Sequence, residues 1–149
     1  MITRERLRVL EKAAKRLPKV EPCQFDMKEF VKSKGDKKPK VGECGTVACF
    51  AGWIPTLVPK CGLRIVANRN EWCRGWDVGP AYGRLRGWDA IAQFFGAENF
   101  DYYCTRDSTG VVRLFVPRRN PKLNTPKAVS ERALKWCAKM REKLKRQGK

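Results

Sequence analysis

The chain has 149 residues, and its 33 Lys and Arg against 15 Asp and Glu give a formal net charge of +18. A chain of this length is the size of one domain and buries roughly two-thirds of its unfolded surface, so no second core is expected. The sequence contains no histidine, which excludes a Cys-His or Ser-His hydrolase, a His-ligated metal site and a histidine general base within this chain.

The first predicted element is an amphipathic helix with a basic outer face, for which Thr3 is the N-cap. Apolar residues then recur at helical spacing until Pro18 stops the pattern: Leu7, Leu10, Ala14 and Leu17. A short element after this helix is expected to contact the core through Phe25, Met27, Phe30 and Val31. The Lys-rich residues 32–40 predict an exposed loop.

Residues 44–58 form the most apolar stretch and predict a buried central helix around which the fold is organised. Thr46 is the expected N-cap, and residues 47–54 carry apolar or small side chains on every side, as a helix without an exposed face does. Gly52 lowers helix stability relative to alanine and is usually found where another backbone comes close. Pro55 is expected to kink or end the helix.

The segment after the central helix is predicted to contain a short strand at residues 63–67, a turn at residues 68–70 and an irregular, partly packed region at residues 71–86. Helical spacing resumes at Trp88, Ile91, Ala92 and Phe95. Gly96 is the expected C-terminal stop of that helix.

A turn at residues 107–110 is predicted to lead into a strand at residues 111–116, which Pro117 ends, and residues 118–124 then form a basic loop. Thr125 followed by Pro126 is typical of a helix start. The last helix has an apolar stripe of Val129, Ala133, Trp136, Met140 and Leu144, with Cys137 at its margin. We expect residues 1–138 to form one compact basic domain and residues 139–149 to be a frayed basic extension of the last helix.

Cysteine chemistry is one alternative function. Cys44, Cys49, Cys61 and Cys73 could supply four thiolates to a structural zinc ion. Their gaps of four, eleven and eleven residues do not form the two close pairs that such sites use. Cys44, just before the predicted central helix, is the candidate for a stabilised thiolate. Ordinary core cysteines are the favoured interpretation, so no metal ligand and no cofactor is assigned.

In a chain without histidine, carboxylates are the remaining candidates for catalytic groups. Asp77, Asp89, Asp101 and Asp107 are scattered and form no paired motif, and their expected roles are in caps and turns. The glycines at positions 75, 79, 83 and 87 lack the strand-then-helix setting of a nucleotide-binding loop. We therefore predict that the protein is not an enzyme.

The excess of basic residues predicts attraction to polyanions, because no fold requires a net charge of this size, although solubility alone is a simpler explanation. The longest apolar stretch is too short to span a membrane. Residues 1–17 alternate charge with Leu and Val, where a secretory signal would be continuously apolar. We therefore expect a cytoplasmic protein with no membrane partner, whose seven cysteines are reduced.

Three basic clusters are the candidate nucleic-acid-binding residues. The first contains Lys28, Lys32, Lys34, Lys37, Lys38 and Lys40, the second Arg118, Arg119 and Lys122, and the third Lys135, Lys139, Arg141, Lys143, Lys145 and Arg146. Such cations give affinity for phosphate without sequence readout. The aromatic residues Trp72, Trp76, Tyr82, Tyr102 and Tyr103 are candidate stacking platforms for unpaired bases, with core packing as the alternative.

Four motifs occur in order: Gln-Phe-Asp-Met at residues 24–27, Cys-Gly-Thr-Val-Ala-Cys-Phe-Ala-Gly-Trp at 44–53, Gly-Trp-Asp-Ala-Ile-Ala-Gln-Phe-Phe-Gly at 87–96, and Thr-Pro-Lys-Ala-Val at 125–129. This order resembles an uncharacterised family of small bacteriophage and bacterial proteins with a Cys-Gly-Thr-x-Ala-Cys-x-x-Gly-Trp helix. The resemblance implies a phage-related accessory protein in a bacterial host cell. The family has no established activity, so no functional residue is carried over.

Together these patterns predict a mainly α (α+β) single domain, with the central helix buried under the first and last helices and a small two-stranded sheet pairing residues 63–67 with 111–116. The leading hypothesis is a non-enzymatic accessory protein whose basic surface binds nucleic acid or a nucleoprotein such as a ribosome, polymerase or defence complex. One alternative is a protein-only inhibitor or adaptor of an acidic host protein. The other is a small zinc- or thiol-dependent protein using Cys44 and Cys49.

Overall fold

A computed structural model of the chain describes residues 2–33, 38–43, 46–70, 75–96 and 111–148. Within these ranges, four α-helices and five β-strands form a mainly helical α+β fold, as predicted. The helices are α1 (Arg4–Arg16), α2 (Phe50–Leu57), α3 (Gly87–Phe95) and α4 (Pro126–Arg146). The strands are β1 (Val31–Ser33), β2 (Thr46–Ala48), β3 (Arg64–Asn70), β4 (Gly75–Tyr82) and β5 (Leu85–Arg86).

The first helix, α1, has the predicted cap, buried face and end. The Arg6 backbone N–H donates a hydrogen bond of 3.2 Å to the Thr3 side-chain oxygen, which satisfies one of the amides left open at a helix start. The predicted apolar stripe, Leu7, Leu10, Ala14 and Leu17, is buried. Pro18 lies in a 3-10 helical turn, Leu17–Lys19, that follows α1 directly.

The last helix, α4, lies against α1 and begins as predicted, with the Ala128 N–H donating to Thr125 Oγ1 at 3.2 Å. Its buried apolar stripe contains Val129, Ala133, Cys137, Met140 and Leu144. Trp136, predicted for this stripe, is only half-buried, and Cys137 is buried in its place. Positions 129, 133, 137, 140 and 144 are separated by four, four, three and four residues, and this spacing keeps them on one helix face. Residues 139–146 continue the same helix.

The central helix begins later than predicted, because the first part of the apolar stretch is a strand. Thr46, the predicted N-cap, lies in β2, which pairs antiparallel with β1. β-Branched residues at positions 46 and 47 suit a strand, and a short apolar run does not by itself distinguish a strand from a helix. The helix α2 starts at Phe50, after Cys49 as its cap residue. Residues 46–53 of the resemblance motif are therefore a strand followed by a helix, and Lys32, predicted in a loop, lies in β1.

Residues 50–54 of α2 are buried, whereas Thr56 is exposed, and Gly52 marks a close approach of α2 to another backbone. A Cβ atom at Gly52 would collide with the Phe30 carbonyl oxygen and would lie 3.0 Å from Ala48 Cβ. This confirms the predicted reason for a glycine here. Pro55 does not end the helix, since α2 continues to Leu57. The helix packs against α1, whereas α4 lies on α1 rather than covering α2.

A three-stranded antiparallel sheet with the order β3-β4-β5 replaces the turn predicted at residues 68–70 and the described part, residues 75–86, of the irregular region predicted at residues 71–86. The strand β3 pairs with β4 from Arg64, opposite Ala81, to Asn70, opposite Gly75. β5 pairs only with the last two residues of β4, so Pro80 has a strand on one side, where proline is tolerated. Both predictions are therefore wrong for the described residues.

The prediction of a strand at residues 111–116 is also wrong, and so is the predicted pairing of that strand with residues 63–67. The segment contains a 3-10 helical turn, Val112–Leu114. Its apolar side chains are nevertheless in the core, where the Phe115 ring stacks on Phe50 and Phe95 with centroid distances of 5.6 and 5.4 Å. The apolar composition predicted burial correctly, but burial does not require a strand.

The helix α3 has the predicted buried face and stop. Ile91, Ala92 and Phe95 are buried, while Trp88 is half-buried. Gly96 caps the helix with a φ of 69°, in the left-handed region that glycine enters most readily. Across the described ranges, each helix is too short or too polar to cross a lipid bilayer.

Candidate nucleic-acid interface

Residues of the second and third basic clusters come together in one groove, here called the α4 groove. The groove lies between α4 and residues 113–118 and has a volume of about 670 Å³. Its basic lining residues are Arg113, Arg118, Arg132, Lys139, Lys143 and Arg146. Leu114, Trp136 and Met140 add apolar surface, and Glu142 is the acidic residue among the described lining residues. The groove is therefore a concave, strongly cationic surface.

One side of the groove is a single stripe of α4. Arg132, Trp136, Lys139, Lys143 and Arg146 follow one another in steps of four, three, four and three residues. Such steps keep side chains on one face of a helix. This stripe runs directly beside the buried stripe, so the cations lie at the edge of the hydrophobic core.

The other side of the groove is held in place by Asn124. Its Oδ1 accepts the Arg118 backbone N–H at 2.7 Å, and its Nδ2 donates to the Arg118 carbonyl at 2.8 Å. Asn124 ends a 3-10 helical turn, Pro121–Asn124, that leads directly into α4. The backbone of Arg118 is therefore fixed relative to the start of α4.

Arg132 is the most enclosed cation of the groove. Its Nη1 donates to the Leu123 carbonyl at 2.7 Å. Its Nε and Nη2 atoms are buried and have no hydrogen-bond acceptor among the described residues. Burial, together with the positive charge of Arg118, lowers the pKa of the Arg132 guanidinium from its ordinary value. Arg132 is thus a half-buried cation that faces another cation.

Several residues predicted for the interface lie outside the groove. Arg119, Lys122 and Lys135 are exposed on neighbouring surfaces and do not line it. Arg141 forms an ion pair with Glu11 of α1. Arg141 and Lys145 instead line a smaller recess of about 230 Å³ between α1 and α4. The structure therefore divides the third cluster between two faces of α4.

The first basic cluster is partly neutralised by neighbouring acids. Lys32 pairs with Glu29 at 3.5 Å, and Lys40 pairs with Glu43 at 3.0 Å. Lys28 is exposed, and Lys38 Nζ lies 5.9 Å from the ring centroid of Trp76. The remaining members, Lys34 and Lys37, lie outside the described residues. This cluster has a weaker excess of positive charge than the α4 groove.

The predicted aromatic platforms are in part structural. The Tyr82 hydroxyl accepts a hydrogen bond of 2.8 Å from Arg6 Nη2, and its ring packs edge-on against Phe94 at a centroid distance of 5.2 Å. Tyr82 therefore joins the sheet to α1 and α3. Trp76 is half-buried, and the other three predicted platforms, Trp72, Tyr102 and Tyr103, lie outside the described residues.

The described cysteines differ in burial and in acidity. Burial raises the pKa of Cys49 to about 11 and that of Cys137 to about 12, so both thiols keep their protons at neutral pH. Burial also raises the pKa of Cys61, whereas Cys23 is exposed. Cys44 and Cys73 lie outside the described residues. No group of three or more potential metal ligands is found within the described ranges.

The described carboxylates of the predicted set occupy exposed positions. Asp77 and Asp89 are exposed, and Asp89 lies in the first turn of α3, where a negative charge favours the helix. Asp101 and Asp107, like the turn predicted at residues 107–110, lie outside the described residues.

Two cations and the aromatic residue of the groove were not among the predicted site residues. Arg132 lies four residues before Trp136 and seven before Lys139, so helical spacing could have placed it on their face. Trp136 was assigned to the wrong face by one position. Arg113 lies in the segment predicted as a strand, and no sequence pattern connects it with α4.

Comparisons of the chain with protein-family models, with curated proteins and with solved structures found no match. The resemblance to phage and bacterial proteins therefore stays a prediction.

Proposed function

We propose that the protein is a non-enzymatic, phage-related accessory protein that binds nucleic acid or a nucleoprotein complex in the bacterial cytoplasm, with the α4 groove as its main contact surface. The observation that supports this is the convergence of six basic residues and one acidic residue on one groove of the described chain. A concave surface lined by one sign of charge focuses the electrostatic potential and attracts a polyanion.

The lining of the groove favours contact with the phosphate backbone. Lysine heads such as Lys139 and Lys143 bind phosphate as point charges and carry no information about base sequence. Six phosphate contacts would give a salt dependence with a log–log slope of about −4 for a single strand and about −5 for duplex DNA. The protein should therefore bind many sequences and release them at high salt.

The test is an affinity pull-down from bacterial lysate at about 0.15 M salt, divided into nuclease-treated and untreated halves. We expect nucleic acid and the proteins bound to it to co-purify, and to be lost after nuclease treatment. A single protein that persists in stoichiometric amount after nuclease would contradict the proposal. That outcome would favour an inhibitor or adaptor of an acidic host protein.

A further inference from the structure

The guanidinium of Arg132 has one hydrogen-bonded edge and one buried edge without acceptors among the described residues. Nη1 donates to the Leu123 carbonyl, which fixes the plane of the group. Nε and Nη2, the two buried atoms without an acceptor among the described residues, form the other edge, so a ligand reaches them only when the side chains around them move. Their N–H bonds are parallel, and this pair of donors binds two oxygen atoms of a phosphate or carboxylate at once.

The unsatisfied edge of Arg132 costs free energy in the unbound protein. Buried donors without acceptors lose their hydration and gain nothing in return. The ion pairs formed by described residues do not include Arg132, although Glu142 also lines the groove. The charged neighbour that acts on Arg132 is another cation, Arg118. An anion with two oxygen atoms would accept from both donors and would balance the positive charge.

We infer that the α4 groove contains a phosphate subsite in which Nε and Nη2 of Arg132 hold two oxygen atoms of one nucleic-acid phosphate and Arg118 supplies a second positive charge. This inference rests on the proposed function and assigns a contact within it. Phosphate is favoured over a carboxylate because the lining carries six cations, a charge that a polyphosphate chain matches better than a single carboxylate does. Lys139 and Lys143 would contact the neighbouring phosphates of the same strand.

The first test compares Arg132→Lys with Arg119→Lys, a matched substitution at an exposed residue outside the groove. Both variants keep the net charge, but lysine lacks the paired donors of arginine. Binding of a short fluorescent single-stranded oligonucleotide is measured by anisotropy at several salt concentrations. We expect Arg132→Lys to weaken binding about tenfold with little change in the salt slope, and Arg119→Lys to have almost no effect.

A second measurement is made on the native protein and does not require the Arg132→Lys variant to bind the oligonucleotide. In ¹⁵N-labelled protein, the Arg132 Nε–H resonance is assigned by its absence from the spectrum of Arg132→Lys. We expect this resonance to shift when the oligonucleotide is added to the native protein. Pyrophosphate should produce a shift in the same direction at higher concentration.

The source of the phosphate is decided with oligonucleotides of one sequence that carry either a 5′-phosphate or a 5′-hydroxyl. Tighter binding of the 5′-phosphorylated strand would assign the subsite to a strand end. Equal binding that still depends on Arg132 would assign it to an internal phosphodiester. Both outcomes support the phosphate subsite.

Two outcomes would overturn the subsite. In the first, the native protein binds the oligonucleotide, but Arg132→Lys binds equally well and the Nε–H resonance stays in place. The proposed function then stands without this contact. In the second, a poly-glutamate peptide displaces the oligonucleotide at equal charge concentration and shifts the same resonance, which would assign the edge to a carboxylate. Failure of the native protein to bind any oligonucleotide would instead remove the proposed function itself.

Discussion

The Ser130 hydroxyl of α4 donates a buried hydrogen bond of 2.6 Å to the Ala14 carbonyl of α1. Pro18 stands four residues after Ala14 and has no N–H with which to continue the helical pattern. The Leu17 N–H is already bonded to the Ala13 carbonyl. Ser130 therefore satisfies the acceptor that the end of α1 leaves open, and it fixes the position of α4 on α1.

Replacing Ser130 by alanine should lower the free energy of unfolding by about 1–3 kcal/mol, because the Ala14 carbonyl loses the buried hydrogen bond from Ser130. Urea unfolding followed by circular dichroism measures this change. Pro18→Ala provides the control, since an alanine at this position supplies the N–H that proline lacks four residues after Ala14. The cost of Ser130→Ala should be smaller in that background, and an equal cost would contradict the role assigned to Pro18.

Gly52→Ala should be among the most damaging single substitutions in α2. The added methyl group would collide with the Phe30 carbonyl oxygen. Phe30 lies between β1, which pairs with β2, and Glu29, whose carbonyl accepts the Cys49 N–H at 2.8 Å, so its backbone is held on both sides. Overpacking of this kind costs about 1–3 kcal/mol, and rigid backbone on the other side favours the upper end of that range. Thermal unfolding of the purified variant measures the loss.

Gly79→Ala is the matched control for Gly52→Ala. A Cβ atom at Gly79 would lie 3.6 Å from Phe30 Cδ2, an ordinary van der Waals distance, so this variant also adds a methyl group beside Phe30. It should change stability by less than about 1 kcal/mol. If both variants lost stability equally, the contact with the Phe30 carbonyl would not be the cause.

Local signals predicted the helices well. The caps Thr3 and Thr125, the stop at Gly96 and the apolar spacing in α1 depend on neighbouring residues in the chain, so the sequence alone was sufficient. The reason for Gly52 could also be stated in advance, although not which backbone would approach it. The residues that determine these features lie within a few helical turns of one another.

The strands were predicted poorly because their partners are distant in sequence or lack an alternating pattern. Thr46 and Val47 entered β2 because β1 offers a backbone edge, and nothing near position 46 encodes that pairing. Residues 68–70 are polar yet extended, because β4 continues opposite them. Arg132 could not be recognised for the same reason. The unsatisfied edge of its guanidinium depends on Leu123 and Arg118 as well as on its own helix.

Alkaline pH should destabilise the protein through Cys49 and Cys137, the two buried thiols among the described residues. The pKa values of Cys49 and Cys137 are raised from an ordinary 9.0 to about 11 and about 12, chiefly by burial. Above about pH 9 the unfolded chain releases these protons while the folded chain keeps them, so the free energy of unfolding falls as pH rises towards the folded values. Each thiol contributes a slope of at most about 1.4 kcal/mol per pH unit.

Urea unfolding under reducing conditions at about pH 8, 9 and 10 measures this slope. The double variant Cys49→Ala/Cys137→Ala should be less stable at each pH but should lose less stability between pH 9 and 10. Cys23→Ala, at an exposed position, is the control and should keep the native slope. An unchanged slope in the double variant would show that other groups cause the alkaline loss.

The contribution of the α4 groove can be separated from that of net charge with two triple variants. Arg118→Gln/Lys139→Gln/Lys143→Gln removes three charges that line the groove, and Arg119→Gln/Lys122→Gln/Lys135→Gln removes three exposed charges that do not. We expect the groove variant to bind a single-stranded oligonucleotide more than tenfold more weakly, with a log–log salt slope smaller in magnitude by about two. The second variant should stay within about threefold of the native affinity, because long-range attraction to net charge is largely screened at physiological salt. Equal losses in both variants would mean that binding is spread over the basic surface, and the α4 groove would then have no special role.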